Sequence, residues 1–98
     1  MATLVKVHED GREEFKDGGA RVDAIKYDND GIFECVAGHK PIVGCSLLVG
    51  SITARTYSHQ DYWFTTEIKE IIEETDNYVL FKTLNSTYKL IKWNHLNN

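Results

Sequence analysis

The chain has 98 residues and a formal charge of −4, with 42% hydrophobic and 11% aromatic residues. That length accommodates one core rather than two, so residues 1–98 read as a single domain, and the apolar content excludes wholesale disorder. The acidic balance excludes a protein whose main work is neutralising phosphates along nucleic acid, although a local basic patch is compatible with it.

No apolar run approaches the roughly 18 residues of a membrane-spanning helix, and residues 1–6 lack the order of a secretory signal. The expected compartment is cytoplasmic, with no membrane partner. Cys35 and Cys45 are the only cysteines, and a reducing interior predicts two thiols rather than a disulfide.

Residues 3–7 read as a short strand, ended by His8-Glu9-Asp10-Gly11, where Asp-Gly favours a tight turn. Residues 12–20 are charged, contain Gly18-Gly19 and offer only Phe15 as an apolar anchor, which predicts an exposed loop. A weakly alternating strand over 21–27, the turn Asp28-Asn29-Asp30-Gly31 and a return strand over 32–36 make a hairpin. Ala37-Gly38-His39-Lys40-Pro41 breaks it. Apolar density then peaks over 42–49 between bends at Gly44 and Gly50, predicting a core strand buried on both faces.

Residues 51–57 alternate as a further strand, and 58–61 form a polar loop. Residues 62–75 fit both periods. The β-forming run Tyr62-Trp63-Phe64-Thr65-Thr66 favours a long bent strand, with a short helix near 66–75 as the alternative. Turns at Asp76-Asn77 and Asn85-Ser86 delimit a C-terminal hairpin over 78–83 and 87–93. With Asn85-Ser86 as the two turn residues, Phe81 opposes Leu90, Thr83 opposes Tyr88, Leu80 opposes Ile91 and Tyr78 opposes Trp93. That register sets Lys82 against Lys89, a repulsion calling for a nearby acid or a slipped register. The fold class is therefore mostly β, a small rolled sheet or SH3-like barrel with a C-terminal hairpin, and the polar tail 94–98 is expected to fray.

The block Tyr62-Trp63-Phe64-Thr65-Thr66, followed by Phe81-Lys82-Thr83-Leu84-Asn85-Ser86-Thr87-Tyr88, resembles a pattern in small uncharacterised proteins of phages and mobile elements: W-x-T-[ST], an acidic β segment, then F-x-T-x-N-S-x-Y. The resemblance covers the second half of the chain. It implies a small β fold and a phage or prophage setting in a host bacterial cytoplasm. Accessory proteins of this size often antagonise host defence, as anti-CRISPR inhibitors and nucleotide sponges do, and no catalytic residue set carries over.

Cys35-x3-His39-x5-Cys45, with His8, His59 or His95 as a fourth ligand, has zinc-competent donors but no paired C-x2-C knuckle, so the cysteines read as small hydrophobes and no cofactor or metal is expected. A Cys–His nucleophile lacks an orienting group and an oxyanion signature, so the chain reads as a non-enzyme. The glycines form no Walker or G-x-G-x-x-G loop; still, Gly18-Gly19 beside Arg21, or Gly38-His39-Lys40, could offer N–H groups and a cation to a phosphate.

The acidic series Asp61, Glu67, Glu70, Glu73, Glu74 and Asp76 reads either as a solvated edge that blocks aggregation or as a surface for a basic partner. Trp63, opposite Tyr62 and Phe64 on the strand, is the exposed aromatic candidate. The leading expectation is binding and neutralising a host macromolecule with a basic surface, an anti-defence inhibitor using Trp63, Glu70 and Glu74. The alternative is a sponge sequestering a nucleotide signal through aromatics and a cation such as Arg55 or Lys40. The C-terminal hairpin has two apolar faces, so a homodimer burying Trp93 and Ile91 is the expected assembly.

Overall fold

Two Asp-Gly turns fold the N-terminal half in the same way. In the first, His8 N–H donates to Arg12 O and Gly11 N–H to His8 O; in the second, Asp28 N–H donates to Ile32 O and Gly31 N–H to Asp28 O. Gly11 and Gly31 sit at φ of 88° and 80°, in the left-handed region that closes such hairpin turns at little cost for glycine. The Asp28 carboxylate accepts from Asp30 and Ile32 N–H and caps the second turn.

The computed structural model describes residues 2–50 and 62–92. Its strands are β1 (Ala2–Val7), β2 (Glu13–Gly19), β3 (Arg21–Tyr27), β4 (Phe33–Gly38), β5 (Ser46–Gly50), β6 (Tyr62–Glu74), β7 (Tyr78–Thr83) and β8 (Thr87–Lys92). They form one antiparallel eight-stranded sheet in the order β2-β1-β8-β7-β6-β5-β3-β4. The sheet rolls until β2 meets β5 and β6 but does not close, which makes it a rolled sheet rather than a barrel. The expected strand 51–57 and loop 58–61 lie outside the described residues.

Strand β6, 13 residues long, joins the halves: its start pairs with β5 and its end with β7. Register shifts in both ladders bend it, and extra residues of this kind increase local twist. Strand is thus the outcome over 66–74, and the alternative helix does not form. At the shift between β5 and β6, Leu47 N–H donates to the buried Thr65 Oγ1 at 2.9 Å, which itself donates to Thr66 O. A side chain there supplies a bond the ladder has lost. The core inside the roll holds Leu4, Leu47, Val49, Ile68, Val79, Phe81, Tyr88 and Leu90.

Three expectations are corrected. Residues 12–20 contain strand β2, because the ladder to β1 is made by backbone and needs no apolar side chains; the charges of Glu13, Glu14, Lys16 and Asp17 suit an open edge. The core strand starts only at Ser46, since Cys45 N–H turns back to Ile42 O and Gly44 adopts a φ of 92°. The C-terminal hairpin turns on Leu84-Asn85, where Thr83 N–H and Oγ1 both donate to Ser86 O, so Phe81 faces Tyr88, Val79 faces Leu90, Leu80 faces Lys89 and Tyr78 faces Ile91. Lys82 then opposes Thr87 instead of Lys89, and the lysine repulsion is relieved.

Candidate ligand-binding pocket

The strand ends converge on one cavity. Ala2, at the start of β1, pairs with Gly19 at the end of β2 and with Lys92 at the end of β8. Strand β3 leaves β2 after the single residue Ala20, and its Ala24 pairs with Gly38, so the chain beyond β4 returns beside the start of β3. Gly18 permits this crowding, because a Cβ there would stand 3.1 Å from Ala2 O. The cavity, about 420 Å³, is lined by Gly19, Ala20, Arg21, Asp23, His39, Lys40 and Lys92 over an apolar floor that includes Ala2, Val22 and Leu90.

Asp23 orients Arg21 and His39. Its Oδ2 accepts from Arg21 Nε at 2.8 Å, and its Oδ1 lies 3.0 Å from His39 Nδ1. Val22 O, 3.1 Å away, is the second partner of Nδ1. Both partners are acceptors, so Nδ1 carries the proton and Nε2 points away from them. Asp23 engages only the Nε edge of Arg21, leaving the terminal amino groups of the fork for a ligand, a geometry suited to phosphate or carboxylate. Lys40 and Lys92 reach towards one carboxylate, with their Nζ atoms 3.9 and 4.0 Å from Glu74 Oε2, and Lys92 also donates to Thr75 O. In a chain of net charge −4, this is a local concentration of positive charge.

Of the residues expected to bind, Lys40 and Glu74 are brought together here. Arg55 lies outside the described residues. Glu70 is elsewhere, opposite Lys82 in the β6–β7 ladder. Trp63 is not an exposed anchor: it is half-buried against the core, donates Nε1–H to Tyr88 Oη at 3.3 Å and carries Lys16 Nζ 4.8 Å above its ring. Its face was assigned correctly relative to Tyr62 and Phe64, but that face turns into the roll. Asp23 and Lys92 are the pocket residues that sequence reasoning missed. Of the two stretches expected to suit a phosphate, Gly18-Gly19 beside Arg21 and Gly38-His39-Lys40, the cavity brings together Gly19, Arg21, His39 and Lys40 but not Gly18 or Gly38.

Three members of the acidic series are engaged within the chain, Glu70 and Asp76 form no ion pair among the described residues, and Asp61 lies outside them. Glu67 lies 3.1 Å from Lys69 Nζ, Glu73 accepts from Tyr78 Oη at 2.6 Å, and Glu74 is shared by two lysines. The bond to Glu73 favours the protonated Tyr78 phenol and raises its pKa. On the opposite edge, hydrogen bonds from Lys16 and then His8 hold the Glu14 carboxyl at a pKa of about 2.

Cys35 is exposed and Cys45 buried, both as free thiols, and burial pushes the Cys45 thiol pKa up. Neither lines the pocket. Among the described residues, no three His, Cys, Asp or Glu side chains gather closely enough to hold a metal ion, and the further donors His59 and His95 lie outside them. Among the described residues, no helix is long and apolar enough to cross a membrane. Compared with family models, with curated proteins and with solved structures, the chain has no match in any of the three.

Proposed function

We propose that this chain is a non-enzymatic binding domain that captures a small phosphorylated anion of nucleotide size, acting in a phage or prophage setting as a sponge for such a signal in the host cytoplasm. The observation that carries the reading is the convergence of Arg21, His39, Lys40 and Lys92 on one cavity of about 420 Å³, a volume typical of small-ligand sites. Among the described residues the lining offers cations rather than an aromatic ring, which favours phosphate groups as the main source of affinity. Neutralising a host protein with a basic surface would draw on the acidic series, in which Glu67, Glu73 and Glu74 already have partners within the chain and Glu70 and Asp76 have none among the described residues.

Calorimetry against pyrophosphate, nucleoside mono- and diphosphates and cyclic dinucleotides tests the reading. Affinity should rise with phosphate number, fall with salt, and drop about tenfold in Arg21→Gln, the scale of one charge-assisted hydrogen bond. Binding of none of these anions, or binding indifferent to both Arg21→Gln and Lys40→Gln, would overturn it.

A further inference from the structure

Among the described residues, the outer face of β4-β3-β5-β6 is apolar and has no element packed on it. Ladder register puts Ile25 opposite Val36, Tyr27 opposite Phe33, and Leu48 opposite Phe64, and these side chains share one face with Tyr62. Tyr27 and Phe64 meet edge to face at 6.2 Å. Phe33 is 57% exposed, Val36 45%, Phe64 39% and Tyr27 38%. An aromatic side chain has about 150–250 Å² to bury and a valine somewhat less, so these three aromatics and Val36 leave roughly 350 Å² of apolar surface in water. That is about three-quarters of the ~450 Å² apolar share of a standard interface of about 800 Å² per partner.

Three pairs of opposite charge flank this face, beside Asp28 and Asp30 of the β3–β4 turn, which form no ion pair among the described residues. Arg21 bonds Asp23 at 2.8 Å, Lys26 lies 3.4 Å from Glu34, and Lys69 lies 3.1 Å from Glu67. A rim dominated by one sign would repel an identical rim and select an oppositely charged partner; a rim made mainly of neutral pairs does little of either. The adjoining edge strand β4 has Glu34 as its only charged residue, unlike the charge-guarded edge β2.

We propose that this face is a homodimer interface, on which a second copy lays its own β4-β3-β5-β6 face about a two-fold axis, sheet against sheet, with Phe33 and Phe64 at its centre. On the outer face of the C-terminal hairpin, the expected dimer surface, Trp93 lies outside the described residues and Tyr78, Leu80 and Ile91 are half-buried. Lys89 Nζ lies 5.0 Å above the Tyr78 ring and bonds Glu13 at 2.7 Å, while the Tyr78 hydroxyl bonds Glu73.

Sedimentation equilibrium of the full chain over a micromolar range tests the assignment. The wild type should give a dimer mass. Phe33→Glu and Phe64→Lys, both outside the core cluster, should weaken dimerisation about 100-fold with an unchanged far-ultraviolet dichroism spectrum. Phe15→Glu, at a 64% exposed phenylalanine on β2, should leave the dimer intact. A wild-type monomer at 100 μM, taken as roughly the weakest association such an area supports, overturns the proposal. So does a dimer that survives both substitutions, or one that Phe15→Glu dissociates equally well.

Discussion

Replacing Glu74 by Gln keeps the shape of the side chain and removes the one carboxylate that Lys40 and Lys92 share at 3.9 and 4.0 Å. Both are exposed pairs at the long limit of ion pairing, a class worth about 0.2–1 kcal/mol each. Releasing two lysines towards a bound phosphate therefore raises anion affinity by between about twofold and thirtyfold at low salt, and screening shrinks the gain as salt rises. Calorimetric titration with pyrophosphate reads this directly, with Glu67→Gln as the control, because Glu67 pairs with Lys69 and does not line the pocket. Unchanged or weakened affinity in Glu74→Gln would refute the assignment of these lysines to the site. The sign also separates the two kinds of binding, since an acidic surface that contacts a basic protein would lose affinity from the same substitution.

Two further outcomes test the core and the charged edge. Phe81→Ala removes the largest fully buried side chain and its stack on Tyr88 at 5.8 Å; urea unfolding should show a loss of about 3–5 kcal/mol, and a loss below about 1 kcal/mol would mean the roll repacks freely. Glu14, with its folded pKa lowered from 4.5 to about 2 by Lys16 and His8, contributes its stabilising share above pH 4.5 and loses it as pH falls towards 2. A carboxyl carbon resonance should titrate near that lower value and return towards 4.5 in Lys16→Gln; a wild-type midpoint near 4.5 would contradict the hydrogen-bonded geometry.

Local turn chemistry and side-chain alternation made much of the fold legible. Strand β3 falls on the expected 21–27 and β7 on the expected 78–83, because Asp-Gly and Asn-containing turns bracket alternating residues. Strand β2 was not legible: an edge strand held by backbone bonds carries charges on both faces and reads as a loop. The hairpin register was misplaced by one turn residue, yet the face assignment survived, since the slip preserves the parity that puts Val79, Phe81, Tyr88 and Leu90 inside. The opposed lysines were the available signal. A register that places like charges directly across a ladder is disfavoured, and Leu84-Asn85 as the turn removes the conflict.

The pocket was legible only in pieces, because its assembly depends on pairings distant in sequence. Arg21 and His39 approach each other through the β3–β4 ladder, a local hairpin that the Asp-Gly turn already implied. Lys92 arrives by another route: Ala2 must pair with the end of β8 on one side and the end of β2 on the other, closing a connection from one end of the chain to the other. Nothing in the composition of residues 2–7 specifies that partner, since a half-buried strand of alternating residues can join any open edge of the right length. Asp23 was overlooked for a related reason. In a weak strand it looks like a surface acid, and only the fold shows it holding Arg21 with one oxygen and His39 with the other. Its charge lowers the net positive charge of the site while fixing the orientation of two donors, so the pocket gives up some attraction for anions in exchange for preorganised geometry.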